Sequence, residues 1–331
     1  MARIVDAADA LDLAAEEIAA GRPVALPTET VYGLAADATN GEAVASIYEA
    51  KGRPRFNPLI VHVDGWDLAE RVGAFDPLSR KLGEAFWPGP LTLVVPKADA
   101  SPVHPLATAG LDTVGIRMPK GFAALLIRKL GRPLAAPSAN SSGRISGTTA
   151  QAVNDDLGRR IGLVVDGGKT RVGVESTIVQ VVGDTVRLLR PGGVSAEEIE
   201  RVAGVPVVRG KTGDTVALGG AVVAPGMLAS HYAPRAGMRL NAVGVRTGEA
   251  LLAFGAVRAK GADRAIQMLN LSETGDLREA AANLFSFMQA LDRSDAATIA
   301  VEPVPGHGLG EAINDRLARA AAPRDNPMAS S

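Results

Sequence analysis

Lys51, Arg53 and Arg55 place three cations within five residues, separated by Gly52 and Pro54, and Asn57-Pro58 then leads into Leu59-Ile60-Val61. Gly and Pro at those positions oppose continuation of a helix, so the spacing predicts a tight basic connection that feeds a buried strand. Cationic side chains on a rigid turn suit a polyanion such as a nucleoside triphosphate. The same residues also describe an ordinary basic surface turn, and the pattern alone does not choose between the two. Ser138-Ala139-Asn140 and Ser176-Thr177 carry hydroxyl and amide groups that fit either turns and helix caps or recognition of a small polar substrate. As nucleophiles they have no histidine–acid pair close by in sequence.

Other patterns carry less. The four histidines, His62, His104, His231 and His307, are too scattered for a metal motif. His62 stands apart because it interrupts the apolar run Leu59-Ile60-Val61-His62-Val63, where a buried ring needs a partner that a ligand can supply. Gly168-Lys169-Thr170 and Gly210-Lys211-Thr212 imitate a phosphate-binding loop, but Leu163 and Val205 stand where its first glycine belongs. Gly306-His307-Gly308-Leu309-Gly310 has Glu311 in place of the last glycine of a dinucleotide fingerprint, and reads as a helix-entry turn.

The elements that must position these groups follow from periodicity. Asp6 to Ala20 has helical spacing, with Asp6 or Asp9 as N-cap and Gly21 as the stop. Pro23 to Pro27 reads as a short strand and Gly41 to Ala50 as a helix. Strand-like runs follow at 59–63, 91–95, 114–118, 163–165, 176–182 and 186–189, with helical stretches at 77–85, 122–130, 149–157 and 196–202. This mixture predicts an α/β domain over 1–209. Gly210 to Gly237 reads as a linker by its Gly, Pro and small residues. Strands at 238–245, 251–254, 265–269 and 298–301, with helices at 275–293 and 311–321, predict a small, mostly parallel, Rossmann-like domain over 238–322. The tail 323–331 reads as disordered.

Composition narrows the classes. The 331 residues suffice for two domains, and 47% hydrophobic with 21% charged residues is ordinary for a soluble protein. A net charge of −1 argues against a generic nucleic-acid coat, so an anion site must be a local concentration of Lys and Arg. Zero cysteines exclude disulfides, thiolate metal sites and cysteine nucleophiles. With no stretch of signal-peptide or membrane-spanning character, the expected location is cytoplasmic.

Taken in order, a set of segments resembles the YrdC-like family, and more closely its two-domain members. They are Pro27-Thr28-Glu29-Thr30-Val31-Tyr32-Gly33-Leu34, the basic turn, Phe86-Trp87-Pro88-Gly89-Pro90-Leu91-Thr92-Leu93, Val114 to Pro119, Ala136 to Gly143, Glu175-Ser176-Thr177, Pro225-Gly226-Met227, His231-Tyr232-Ala233-Pro234 and Gly308 to Ile313. The resemblance implies an open, twisted α/β sheet with a basic cavity, then a linker and a Rossmann-like domain. It implies synthesis of L-threonylcarbamoyl-adenylate from L-threonine, bicarbonate or carbon dioxide and ATP, with Mg2+ on the phosphates and pyrophosphate released. The product then goes to a separate tRNA threonylcarbamoyl transferase that modifies the adenosine beside the anticodon, which leaves room for a weak tRNA contact.

By the same resemblance Lys51, Arg53, Ser138 and Asn140 match the family's catalytic tetrad. Arg53, Asn57, Thr113, Asn140, Ser146, Thr148, Arg190 and Tyr232 match ATP contacts. Thr30, His62, Arg117, Ser138 and Ser176 match threonine contacts, with Arg117 suited to the carboxylate. The linker is expected to close over the cavity, with Tyr232 reaching the nucleotide. Gly147 departs from the proline expected between Ser146 and Thr148. Two alternatives are an RNA-binding module of the same fold and a domain that forms a carbamoyl-adenylate from carbamoyl phosphate. The latter usually accompanies zinc-finger cysteines, which this chain lacks.

Overall fold

The computed structural model describes residues 1–210 and 231–323. They form two compact units, one of residues 1–142 and 146–210, the other of 143–145 and 231–323. The middle of the expected linker, including Pro225-Gly226-Met227, lies outside the described residues, as does the tail from 324 onward.

The first unit begins with β1 (Arg3–Asp6), α1 (Leu11–Ala19), β2 (Val24–Leu26), β3 (Gly33–Asp37), α2 (Gly41–Lys51) and β4 (Ile60–His62). It continues with α3 (Trp66–Val72), α4 (Pro77–Phe86), β5 (Leu91–Pro96), β6 (Thr113–Arg117), α5 (Phe122–Leu130) and β7 (Leu134–Ala135). Then come α6 (Ala150–Leu157), β8 (Leu163–Asp166), β9 (Thr177–Val182), β10 (Thr185–Arg190), α7 (Ala196–Ala203) and β11 (Val207–Arg209). These strands make one mixed sheet in the order β1-β8-β2-β3-β7-β4-β6-β5-β9-β10-β11. Its continuous apolar core runs from Ala10 through Val61, Leu93 and Val164 to Val207.

Several expectations need correction. Asp6 is a strand residue rather than a helix cap; its carboxylate accepts from Ala8 N at 2.8 Å, and α1 starts only at Leu11. Lys51 belongs to the last turn of α2, not to the connection after it. Asn40 caps that helix at its start, and Gly52 ends it in the left-handed region at φ 60°, so the chain leaves at once. The short β3 and β7 and helix α3 have no clear sequence period, because they are brief and buried on both sides or in part.

The second unit holds β12 (Gly237–Arg239), β13 (Glu249–Ala253), β14 (Met268–Asn270), α8 (Leu277–Asp292), β15 (Thr298–Val301) and α9 (Leu309–Ala321). Its strands are all parallel in the order β12-β15-β13-β14, which is the small Rossmann-like sheet anticipated from alternation. β12 stops at Arg239 instead of running to Val245, because Asn241 takes a positive φ of 54° that breaks a strand. Gly308 forms the entry to α9, so the glycine-rich segment there is a helix-entry turn.

Candidate active site

The basic segment divides. Lys51 and Arg53 are 2% and 8% exposed, whereas Arg55 is exposed, so two of the three cations turn inward. Lys51 Nζ donates to the carbonyls of Ser138 at 2.6 Å and Asn140 at 2.5 Å. The last turn of α2 is thereby tied to the Ser138-Ala139-Asn140 turn, which is also held by Ala139 N to Tyr32 O at 2.7 Å and by a bridge between Gly33 and Ser138. Burial, and then the neighbouring Arg53, push the Lys51 ammonium well below the ordinary lysine range. Arg53 folds back on its own connection, donating from Nε to Asn57 O at 3.2 Å and from Nη2 to Pro58 O at 2.9 Å.

The neighbouring strands carry the remaining polar groups. β4 and β6 are parallel with His62 in register with Arg117, so the two side chains lie on one face. Both are buried, at 3% and 4% exposure. Burial first, and Arg117 second, hold the His62 imidazole well below its ordinary value, so the ring is neutral. Neither ring nitrogen makes a hydrogen bond of normal geometry; the Ile60 backbone is the polar group that supports its proton. Arg117 Nε donates to Gly89 O at 3.3 Å, and its Nη2 lies 2.8 Å from Glu29 Oε1.

Ser176 precedes β9 and shares a hydrogen bond with Thr92 of β5 at 2.8 Å, while Arg190 Nη2 donates to its carbonyl at 2.8 Å. Arg190, at the end of β10, is 4% exposed. Ser146 Oγ donates to Glu175 Oε1 at 2.5 Å, next to Ser176. Thr30 is fully buried, its carbonyl accepting from Gly173 N at 3.1 Å. Thr113, which opens β6, lines a small cleft with Pro58, Leu59, Thr92, Gly115 and Ile178.

Thirteen of the fourteen anticipated residues thus belong to the first unit, Lys51 at the end of α2 and the others on loops and strands. Tyr232 is the exception. It lies in the second unit, 1% exposed, with its ring 5.4 Å from Phe285 and the Arg316 guanidinium 5.3 Å above it. Its φ of 61° is a left-handed conformation that a tyrosine seldom adopts. Sequence reasoning gave no role to Glu29, Thr92 or Glu175, although each stands beside a chosen residue. Spacing carries no signal for them, since each acquires its contact from a distant part of the chain.

Several of these side chains are buried with polar atoms unspent. Both amide atoms of Asn57, both ring nitrogens of His62 and the Thr148 hydroxyl have no directed partner. Native interiors rarely tolerate such groups unless an ordered water or a ligand completes them.

A family model described as telomere recombination, covering the Sua5, YciO and YrdC proteins, matches residues 16–192. A second, the threonylcarbamoyl-AMP synthase C-terminal domain, matches residues 194–322. A threonylcarbamoyl-AMP synthase of Pyrococcus abyssi is 41% identical over 329 residues, spanning 94% of both chains. One of Bacillus subtilis is 41% identical, over 91% of this chain and 90% of its own. The crystal structure of P. abyssi Sua5 complexed with L-threonine superposes with a TM-score of 0.84 at 37% identity, covering 96% of this chain and 97% of that one. With both domain models and full-length relatives in agreement, this chain belongs to the Sua5-type threonylcarbamoyl-AMP synthase family.

Proposed function

We propose that this protein makes L-threonylcarbamoyl-adenylate from L-threonine, carbon dioxide or bicarbonate, and ATP, releasing pyrophosphate, and hands the product to a tRNA threonylcarbamoyl transferase in the cytoplasm. The observation that carries this reading is the set of buried, unpartnered polar atoms on Asn57, His62 and Thr148 among the buried cations Lys51, Arg53, Arg117 and Arg190. Buried cations and polar groups of these kinds suit one small zwitterion and one polyphosphate.

The reaction needs no enzyme nucleophile. The threonine amine adds to carbon dioxide, forming the N–C bond and losing a proton to give a carbamate. A carbamate oxygen then attacks the α-phosphorus of ATP, and the bond to the β-phosphate oxygen breaks as pyrophosphate leaves. The protein aligns the partners and stabilises charge that grows on the phosphates. In this scheme Arg117, beside neutral His62, grips the substrate carboxylate, and Thr30, Ser138 and Ser176 surround the remaining polar groups. Lys51 and Arg53 face the phosphates; Asn57, Thr113, Asn140, Ser146, Thr148 and Arg190 hold the nucleotide.

Magnesium fits this arrangement as a companion of the triphosphate. Among the described residues no three acidic or histidine side chains cluster as a metal cage. The two carboxylates that Lys51 senses, Asp156 and Glu175, accept from the hydroxyls of Ser141 and Ser146. A bound magnesium would neutralise phosphate charge while coordinated mainly by ATP and water.

The buried cations weigh against the RNA-binding alternative, since groups 2–8% exposed cannot line a surface for a nucleic-acid backbone. Among the described residues no helix is long and apolar enough to cross a membrane. The decisive test is a mass spectrum of the purified protein with ATP, threonine and bicarbonate. It should show threonylcarbamoyl-adenylate and pyrophosphate, both lost when any one reactant is omitted. Pyrophosphate release that ignores threonine would overturn the assignment.

A further inference from the structure

Glu29 pairs with Arg117 in an unusual way. Arg117 Nη2 and Glu29 Oε1 are 2.8 Å apart, and the two side chains are only 5% and 11% exposed. Despite that distance, neither atom takes part in a directed hydrogen bond. The contact is an ion pair that lacks the alignment of a full hydrogen bond, so part of the hydrogen-bonding capacity of each group is left for a ligand. Burying two charges without using it is costly unless something else completes the geometry.

The surroundings hold both groups in place. Glu29 Oε2 accepts from the Lys120 amide at 3.1 Å, and the Glu29 carbonyl accepts from Val172 N at 2.9 Å. Arg117 is anchored through Nε to the Gly89 carbonyl and sits in register with His62, whose ring nitrogens are also unpartnered. A fixed cation and a fixed anion side by side match a molecule that carries both charges on groups bonded to one carbon.

We propose that Glu29 is a substrate-binding residue that accepts the α-amino N–H of the amino acid while Arg117 takes its carboxylate. This rests on the assignment of Arg117 to the substrate carboxylate made above. The α-ammonium gives one proton to solvent to become the nucleophilic amine and a second as the carbamate forms; ammonium, amine and carbamate each keep an N–H donor, so the one acceptor serves before and after carbon dioxide is captured. Glu29 forms no covalent bond. Its effect is selection: a hydroxy acid of the same shape presents its carboxylate to Arg117 but no cation to Glu29.

The test compares binding of L-threonine and its deaminated counterpart, 2,3-dihydroxybutanoate of matching configuration, by calorimetry. Unsubstituted protein should prefer threonine by at least about tenfold, the scale of a hydrogen bond to a charged group. Glu29→Gln should weaken threonine by a similar factor and leave the hydroxy acid unchanged or tighter, because Arg117 is released from its partner. Glu29→Asp, which keeps the charge, should restore part of the preference. Equal weakening of both ligands would show that Glu29 only props Arg117, and equal affinity of both for the unsubstituted protein would also overturn the proposal. Arg117→Lys separates the two levels of the argument: if it leaves both ligands unaffected, the carboxylate assignment itself is wrong, whatever Glu29 does.

Discussion

The ammonium of Lys51 reaches out of the last turn of α2 to the carbonyls of Ser138 and Asn140, at 2.6 and 2.5 Å. Two of its three donors are thus committed to the turn that carries the second half of the proposed tetrad. One side chain therefore braces the Ser138-Ala139-Asn140 turn and, in the scheme proposed above, faces the phosphates. Lys51→Met keeps most of the volume and removes both functions. Pyrophosphate release should fall on the order of 10²–10³-fold, as for loss of one preorganised donor at a reacting centre. Loss of rate with the melting temperature unchanged would assign Lys51 to the phosphates alone; near-normal rate would remove it from the chemistry.

Burial lowers the Lys51 ammonium well below the ordinary lysine range in the free protein. A bound triphosphate favours the charged form and raises it again. ATP binding should therefore take up protons at pH values between the depressed and the restored pKa. Calorimetry in buffers of different ionisation enthalpy reads this uptake directly, and it should vanish in Lys51→Met. Proton release on binding would contradict the assignment.

His62 links stability to pH through the same physics with a different window. Its folded-state pKa is held below the ordinary value of 6.5, by burial first and by Arg117 second. Below about 6.5 the unfolded chain takes up a proton that the folded one refuses, so stability falls as pH drops from there toward the folded pKa. The slope approaches roughly 1.4 kcal/mol per pH unit. Denaturant midpoints between pH 7.5 and 5 should show a shallower decline in His62→Gln than in the unsubstituted protein.

Substrate choice tests the polar pocket. A missing methyl is worth only ~1–3 kcal/mol, so serine should be a poor but measurable substrate. Valine should do worse, because it leaves buried hydroxyls and the imidazole without partners. Comparable kcat/KM for threonine and valine would displace the pocket from Thr30, His62, Arg117 and Ser176.

Gly192 lies against the backbone that carries Ser176. A Cβ there would stand 2.4 Å from Glu175 O, Ser176 C and Thr177 N. Gly192→Ala must push this segment away, and overpacking of this kind typically costs about 1–3 kcal/mol. The melting temperature should drop, and threonine affinity should drop with it even though position 192 touches no substrate in the scheme above. A stable variant with normal threonine binding would separate Ser176 from the pocket.

Much of the organisation was legible in the order of residues alone. Periodicity located α2, α4, α8 and β15 to within a residue or two. Punctuation by Gly52 and Pro54 marked the connection after α2, and the order of short motifs led to the family. Tertiary structure decided the rest. It turned Lys51 and Arg53 inward and Arg55 outward, which no local pattern distinguishes, since all three are basic residues beside a turn. It set His62 beside Arg117, 55 positions away, because strand order and register depend on packing of a whole sheet. It paired Glu29 with Arg117 and Thr92 with Ser176, contacts that arise only when distant strands meet. Local propensity is written in neighbouring residues; the charge pairs and unspent hydrogen bonds of a site belong to groups that only folding brings together.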